Sequence, residues 1–320
     1  MSSTPDADDE RSSSLRDRAR DARDEFEQQA HQAREHFEEV NERIKQRSGR
    51  DLLSAIGVGV VAGVVAVAAV LIADWTFAIF VVAVAALGVH ELWGAFRNGG
   101  RRIDLVPQLI GAVAIPAATY GGGWLHWSSL FLTMAFIVIW RLMAQMAAQD
   151  GRSARDVIAD LFAGAFIPLY VPYLGSIALQ LRQLDDGATW ILSFLIVAVV
   201  VDVAAFAAGR SLGRHKMSPH ISPNKTWEGF IGAAVAALGA GALLGWLLLG
   251  IPWWAGLIFG AVILITATIG DLAESMIKRD LGIKDMSSLL PGHGGVLDRL
   301  DSILLSAAAA LALHFLLGGL

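Results

Sequence analysis

From Leu52 onward, apolar runs long enough to cross about 30 Å of hydrocarbon alternate with short polar connections. The runs cover residues 52–73, 75–96, 105–124, 127–148, 157–181, 189–209, 229–250, 253–270 and 302–317. They predict an all-α polytopic membrane protein of about nine transmembrane helices. Trp75, Trp124, Trp127, Trp190, Trp253 and Trp254 fall near the ends of these runs, where indole rings favour the membrane interface. The first 51 residues follow a different pattern. Residues 12–47 lack Gly and Pro and mix charges of both signs, with a thin apolar stripe of Leu15, Phe26, Phe37, Val40 and Ile44. That pattern predicts a solvated helical or disordered extension without a chemical role. No signal peptide is expected, because a long charged stretch precedes the first apolar run. The organisation expected is therefore a charged extension at 1–51, helices one to five at 52–181, and helices six to nine with long loops at 182–320.

Composition sharpens this division. The extension holds 14 of the 30 acidic and 10 of the 25 basic residues, so only 31 charged residues are left for the other 269 of this 55% hydrophobic chain. The absence of cysteine excludes disulfides, Fe–S ligation, thiolate zinc sites and a thiol nucleophile. The net charge of -5 argues against a nucleic-acid binder. Lys and Arg are strongly asymmetric between loops. The second, fourth, sixth and eighth loops carry 13 of them, whereas the odd-numbered loops and the C-terminus carry only Arg182. Cationic residues resist translocation, so the N-terminus is expected to be cytoplasmic and the C-terminus outside. A miscount of one span would destroy this alternation.

The polar residues left over concentrate in the sixth and eighth loops. If the eighth helix continues past Gly270, then Asp271, Glu274, Ser275, Lys278 and Arg279 follow a spacing of i, i+3, i+4, i+7, i+8 and share one face. Asp298, Asp301 and Ser302 repeat the start of that spacing where the ninth helix begins, just after His293 in a Gly-rich turn. Carboxylates on two opposing helix ends suit Mg²⁺, which takes one or two of them together with phosphate oxygens and water. Lys278, Arg279, Lys284 and Arg299 add positive charge for polyphosphate. In the sixth loop, Asp202 is an ionisable group at membrane depth and hence a functional candidate. Ser222-Pro223-Asn224-Lys225-Thr226 reads as an anion-binding turn before a helix N-terminus. No P-loop sequence occurs. His215 and His220 make a poor zinc pair, while His90, Glu91 and Arg141 read as packing or interface groups. Gly241 and Gly245 predict a close helix contact.

The run Ser275-Met276-Ile277-Lys278-Arg279, Lys284-Asp285, Pro291-Gly292-His293-Gly294-Gly295, Asp298-Arg299, Asp301 resembles the signature of the phosphatidate cytidylyltransferases, or CDP-diacylglycerol synthases. Asp202, Gly209-Arg210, Gly213-Arg214, Ser222-Pro223, Lys225-Thr226 and Glu228-Gly229 resemble that family's second motif. The two motifs cover about a third of the chain, and the charged extension lies outside the pattern. The resemblance implies that CTP and phosphatidate give CDP-diacylglycerol and pyrophosphate. It implies a divalent metal on Asp271 and Asp298, a monovalent cation beside it, and a homodimer. It further implies that Lys278, Arg279 and His293 join Asp271 and Asp298 in the catalytic set. Substrate phosphates would then be met by Asp202, Ser222, Asn224, Lys225, Thr226 and Glu228 on one side. Ser275, Lys284, Asp285, Gly294, Gly295, Arg299 and Asp301 would meet them on the other.

Two other classes compete. A CTP-dependent polyprenol kinase would share the membrane setting but transfer a phosphoryl group. A secondary transporter would explain many spans and an intramembrane Asp202, yet no repeated halves are visible. An active site on the cytoplasmic face of a bacterial-type inner membrane is the location expected, since CTP is cytosolic.

Overall fold

A computed structural model describes residues 52–148, 151–287, 289 and 294–320. The chain divides into two units, Met1–Gly59 and Val60–Leu320. Of the first, only the helical residues from Leu52 are described, so the expected extension and its helix lie outside the described residues.

Each apolar run corresponds to helix. In chain order these are α1 (Leu52–Ile72), α2 (Asp74–Asn98), α3 (Leu105–Ala118), α4 (Gly123–Ala148), α5 (Ala154–Pro168), α6 (Leu174–Arg182), α7 (Gly187–Leu212), α8 (Trp227–Leu247), α9 (Trp253–Asp280) and α10 (Leu297–Leu317). A π-helical segment, Leu169–Tyr173, joins α5 to α6. Seven helical stretches among the described residues are long and apolar enough to cross a membrane, counting Ala154–Arg182 as one; two apolar stretches, Gly57–Ile72 and Leu105–Gly121, are shorter. The third run ends earlier than its apolarity predicts. Beyond α3 the chain turns through Thr119–Gly121, and Gly122 takes a left-handed φ of 88° that a side chain would disfavour.

The helices extend furthest beyond the apolar runs at polar ends. α5 opens at Ser153, whose hydroxyl accepts from the Asp156 N–H, an N-cap contact that satisfies one orphan donor. α9 continues ten residues past Gly270, which sets its acidic and basic residues on a regular helix. Within Ala154–Arg182, Pro168 and Pro172 lack N–H donors, and the wider π turn accommodates those gaps without ending the helix.

Among the described residues, one element is not helical. Lys216–Ser218 (β1) and Ser222–Thr226 (β2) form an antiparallel ribbon, with Lys216 opposite Thr226 and Ser218 opposite Ser222. The Ser-Pro-Asn-Lys-Thr segment is therefore a strand and not the turn that its composition predicts. Pro223 is tolerated because a two-stranded ribbon leaves each strand an unpaired edge.

The largest core cluster joins α7, α8, α9 and α10 around Trp190, Phe194, Phe259 and Ile263. α8 meets α9 through small residues. A Cβ on Gly241 would lie 2.4 Å from the Gly256 carbonyl oxygen, and one on Gly245 would lie 2.8 Å from the Gly256 Cα. This is the close contact predicted for the glycine pair. A second cluster packs Val89 and Leu92 of α2 against Ile167 and Val171, together with Met286 and Leu297 beside the start of α10.

Candidate active site

α9 and α10 approach most closely where their acidic residues begin. A Cβ on Gly270 would sit 2.1 Å from the Asp301 carbonyl oxygen, so only glycine permits this separation, and Asp271 follows directly. Lys278, two turns further along α9, bridges the helices. Its ammonium lies 2.8 Å from Asp298 Oδ1 and 3.2 Å from Glu274 Oε1. The Asp298 Oδ2 accepts the backbone N–H groups of Gly295 at 2.8 Å and Met286 at 3.0 Å. Asp298 thus organises the loop that precedes its own helix. Gly294 supports this with a φ of 82°, and a Cβ there would meet Asp298 Oδ2 at 2.8 Å.

The ribbon delivers the second cation. Lys225 on β2 pairs with Asp271 Oδ2 at 2.6 Å, and Ser275 donates to Asp271 Oδ1 at 3.3 Å. Asp202 on α7 lies within electrostatic reach of Asp271, Lys225 and Arg299. Asp301 is in similar reach of Asp271, Asp202 and Lys278. The structure therefore gathers Asp202, Asp271, Glu274, Asp298 and Asp301 with Lys225 and Lys278, from segments far apart in sequence.

Other expected contacts are directed elsewhere. Thr226 is buried, and its hydroxyl accepts from the Gly229 N–H as the N-cap of α8. Glu228 accepts the N–H groups of Arg214 and His215 and pairs with the His215 ring at 2.6 Å, which ties down the base of the ribbon. Arg279 donates to the Ile221 carbonyl at 3.2 Å, so it braces the ribbon from α9 instead of joining Lys278. Ser222 is half-buried and Asn224 exposed on β2; Lys284 and Arg299 are exposed, and Asp285 is half-buried. Pro291, Gly292 and His293 lie outside the described residues.

Tyr170 and Glu91 emerge without any mark from spacing, and Glu274, which helical spacing places in the acidic column, gains weight from its surroundings. Glu274 is completely buried, and neither of its oxygens accepts a hydrogen bond. Tyr170, in the π segment, has a buried hydroxyl without a hydrogen-bond partner and lies within electrostatic reach of Glu274, Asp301 and Asp271. Glu91 on α2 reads in sequence as a packing or interface group, and its carboxylate holds the approach to α10. The available signal for Glu91 was its charge inside an apolar helix. Arg141, by contrast, is the packing group expected, paired with Asp160 at 2.9 Å.

Among the described residues, no group of three or more His, Asp or Glu side chains is gathered to hold a metal ion. Mg²⁺ does not demand one, since it completes its shell with water and substrate phosphates. The excess of hard carboxylate oxygens over cations, with Glu274 unmet by any donor hydrogen bond, is a donor set that fits such an ion.

Comparison with known proteins bears on the same residues. Residues 53–317 match the family model described as the cytidylyltransferase family. The chain belongs to the cytidylyltransferase family. It is 37% identical over 270 residues to the phosphatidate cytidylyltransferase of Mycobacterium bovis, covering 82% of this chain and 88% of that one. The Mycobacterium leprae phosphatidate cytidylyltransferase is 36% identical over 280 residues, with 82% and 88% covered. That of Brucella suis is 42% identical over 154 residues, 48% of this chain and 56% of its own. The cytidylyltransferase match spans both loop motifs and the helices that carry them, while the charged N-terminal segment falls outside it.

Proposed function

We propose that this chain is a phosphatidate cytidylyltransferase of the membrane, in which the lipid phosphate oxygen attacks the α-phosphorus of CTP. The new P–O bond yields CDP-diacylglycerol, and the bond to the β-phosphate breaks to release pyrophosphate. The attacking phosphate is already anionic near neutral pH, so no strong general base is required. Positioning and neutralisation of charge carry most of the catalysis.

The observation that carries this reading is the pair of lysines, each held against a different carboxylate: Lys225 on Asp271 and Lys278 on Asp298. These contacts join the ribbon to α9 and α9 to α10, so the two loop motifs form one phosphate-binding place. Lys225 and Lys278 hold the nucleotide and lipid phosphates. Arg279 and Glu228 keep the ribbon against that place, Thr226 fixes the helix that follows it, and Ser222 and Asn224 offer polar contacts from β2. His293 and Lys284 contribute further phosphate contacts from the loop before α10. Asp271 and Asp298 would hold Mg²⁺, a monovalent cation would serve as a second ion, and the divalent ion would supply neutralisation of charge on the nucleotide phosphates.

The nine apolar helical segments cross the bilayer with the N-terminus in the cytoplasm and the C-terminus outside. The site then faces cytosolic CTP at the inner membrane, and the acyl chains of the lipid remain in the bilayer. The active unit is a homodimer, and residues 1–51 act as a spacer.

Pyrophosphate release by the full-length chain in mixed micelles tests the reading. Release is expected to require CTP, phosphatidate and Mg²⁺ together, and to fall at least about a hundredfold per folded molecule in Asp298→Asn and Asp271→Asn. Release without phosphatidate, or none from a monodisperse lipid-replete sample, would overturn it.

A further inference from the structure

We infer that Glu91 is a positioning residue for cytidylyl transfer: from α2 it fixes the backbone that enters α10 and so sets the place of Asp298. The inference rests on the assignment of Asp298 to the active site. Glu91 is 3% exposed. Its Oε1 accepts the Ser287 hydroxyl at 2.6 Å and the Val296 N–H at 2.9 Å, and its Oε2 accepts the Leu297 N–H at 2.8 Å.

These N–H groups are the orphan donors that every helix start exposes. Val296 at the N-cap supplies no side-chain cap, so the carboxylate of another helix performs that task and also complements the positive end of the helix dipole. The neighbouring N–H, that of Gly295, goes to Asp298 itself. Two carboxylates thus divide one short run of backbone: Asp298 takes Gly295, and Glu91 takes the next two residues. Ser287, held by the same Glu91 oxygen, fixes the loop on the other side of Met286, which Asp298 also holds.

Gly295 supplies an independent observation. A Cβ at that position would lie 2.7 Å from Glu91 Oε2 and 2.9 Å from its Cδ. The glycine is required because the Glu91 carboxylate lies against its Cα, a reason that involves no substrate. Glutamine in place of Glu91 keeps the size but replaces one acceptor by an NH₂ group. At least one of the three donors then faces another donor, and the peptide run leading to Asp298 shifts. A misplacement of about 1 Å costs on the order of a hundredfold in rate.

The experiment measures kcat, KM for each substrate and melting temperature for the full-length chain in mixed micelles. It compares wild type with Glu91→Gln, Glu91→Asp, Gly295→Ala, Gly295→Ala combined with Glu91→Asp, and Asp298→Asn. Glu91→Gln is expected to lower kcat about 10- to 100-fold, with both KM values within about threefold of wild type. The shorter aspartate makes room for the alanine methyl, so the double variant is expected to turn over faster than Gly295→Ala alone. A lower melting temperature with wild-type kcat per folded molecule would make Glu91 merely structural and overturn the inference. Losses that simply multiply in the double variant would overturn the link to Gly295, and this arm decides the question if Glu91→Gln does not fold. An active Asp298→Asn would remove the site assignment itself, whereas an inactive Asp298→Asn beside a fully active Glu91→Gln would remove only the role of Glu91.

Discussion

Asp160 and Glu274 are both carboxylates buried in an apolar protein, and their surroundings differ completely. Asp160 on α5 meets Arg141 at 2.9 Å and Arg152 at 2.9 Å, and it also accepts the Arg102 N–H at 3.0 Å. Every oxygen is engaged, and positive charge exceeds negative within the cluster. Glu274 on α9 shares Lys278 with Asp298, and neither of its oxygens accepts a hydrogen bond. Other acids surround it. In the first arrangement the acid is matched by cations, and it ties α4 and α5 to the loop after α2. The second carries surplus acid, which suits a site that completes itself with a cation and anionic substrates. Burial alone does not mark a functional acid; the balance of its partners does.

The largest test exchanges the two roles. Asp298→Asn is expected to remove at least about a hundredfold in turnover per folded molecule and to lower the melting temperature less than Asp160→Asn does, because Glu274 remains beside Lys278. Asp160→Asn is expected to do the reverse, destabilising the fold by about 3 kcal/mol because it leaves two arginines without their shared anion. Thermal melts and kcat per folded molecule read both. An Asp160→Asn variant that melts normally but turns over poorly would break the comparison. Gly270→Ala comes next. Its methyl forces α9 away from α10, with an overpacking cost of about 1–3 kcal/mol and a parallel fall in turnover, and unchanged melting and activity would contradict the close approach.

Tyr170→Phe is a finer probe. Its hydroxyl is buried without a partner, so its removal is expected to leave stability equal or raise it by about 1 kcal/mol. Turnover should fall several-fold if the phenol faces substrate, and unaltered kinetics would restrict Tyr170 to packing. The smallest effect concerns the loop before α7. Burial pushes the Asp186 carboxyl up, but hydrogen bonds from His314 and Trp190 outweigh it and hold the group below the usual carboxylate range. A depressed folded-state value contributes stability that is complete above the unfolded-state value and is lost as pH falls through the folded-state one. Melts recorded from about pH 6 to about pH 3 should decline less steeply in Asp186→Asn than in wild type, and equal slopes would discount the contact.

Much of the architecture is legible in linear order because hydrocarbon imposes its own length and hydropathy on each span. The apolar runs correspond to α1 through α10, with α5, the π segment and α6 together forming one run. The column Asp271, Glu274, Ser275, Lys278 is legible too, since helical periodicity alone places those residues together. Partners across helices are not legible. Nothing in the spacing of Lys225 indicates Asp271, and nothing near Glu91 indicates Val296. The ribbon is concealed by turn-forming residues, Ser, Pro and Asn, which adopt extended backbone once Lys216–Ser218 pairs with them. Thr226 caps α8 and Glu228 braces the base of the ribbon, contacts that their places in the motif do not reveal.

By itself, the amino-acid order determined which segments are apolar helices, which helix ends carry acid and base, and which motif residues belong to a cytidylyltransferase. Those properties are local, set by periodicity, side-chain chemistry and the cost of placing polar groups in hydrocarbon. Tertiary structure alone decided that Lys278 lies between Glu274 and Asp298, that Lys225 reaches Asp271, and that Glu91 holds the start of α10. Such pairings depend on distances between helices, and glycines such as Gly270 and Gly295 set those distances by allowing backbone and carboxylate to approach where a Cβ would collide.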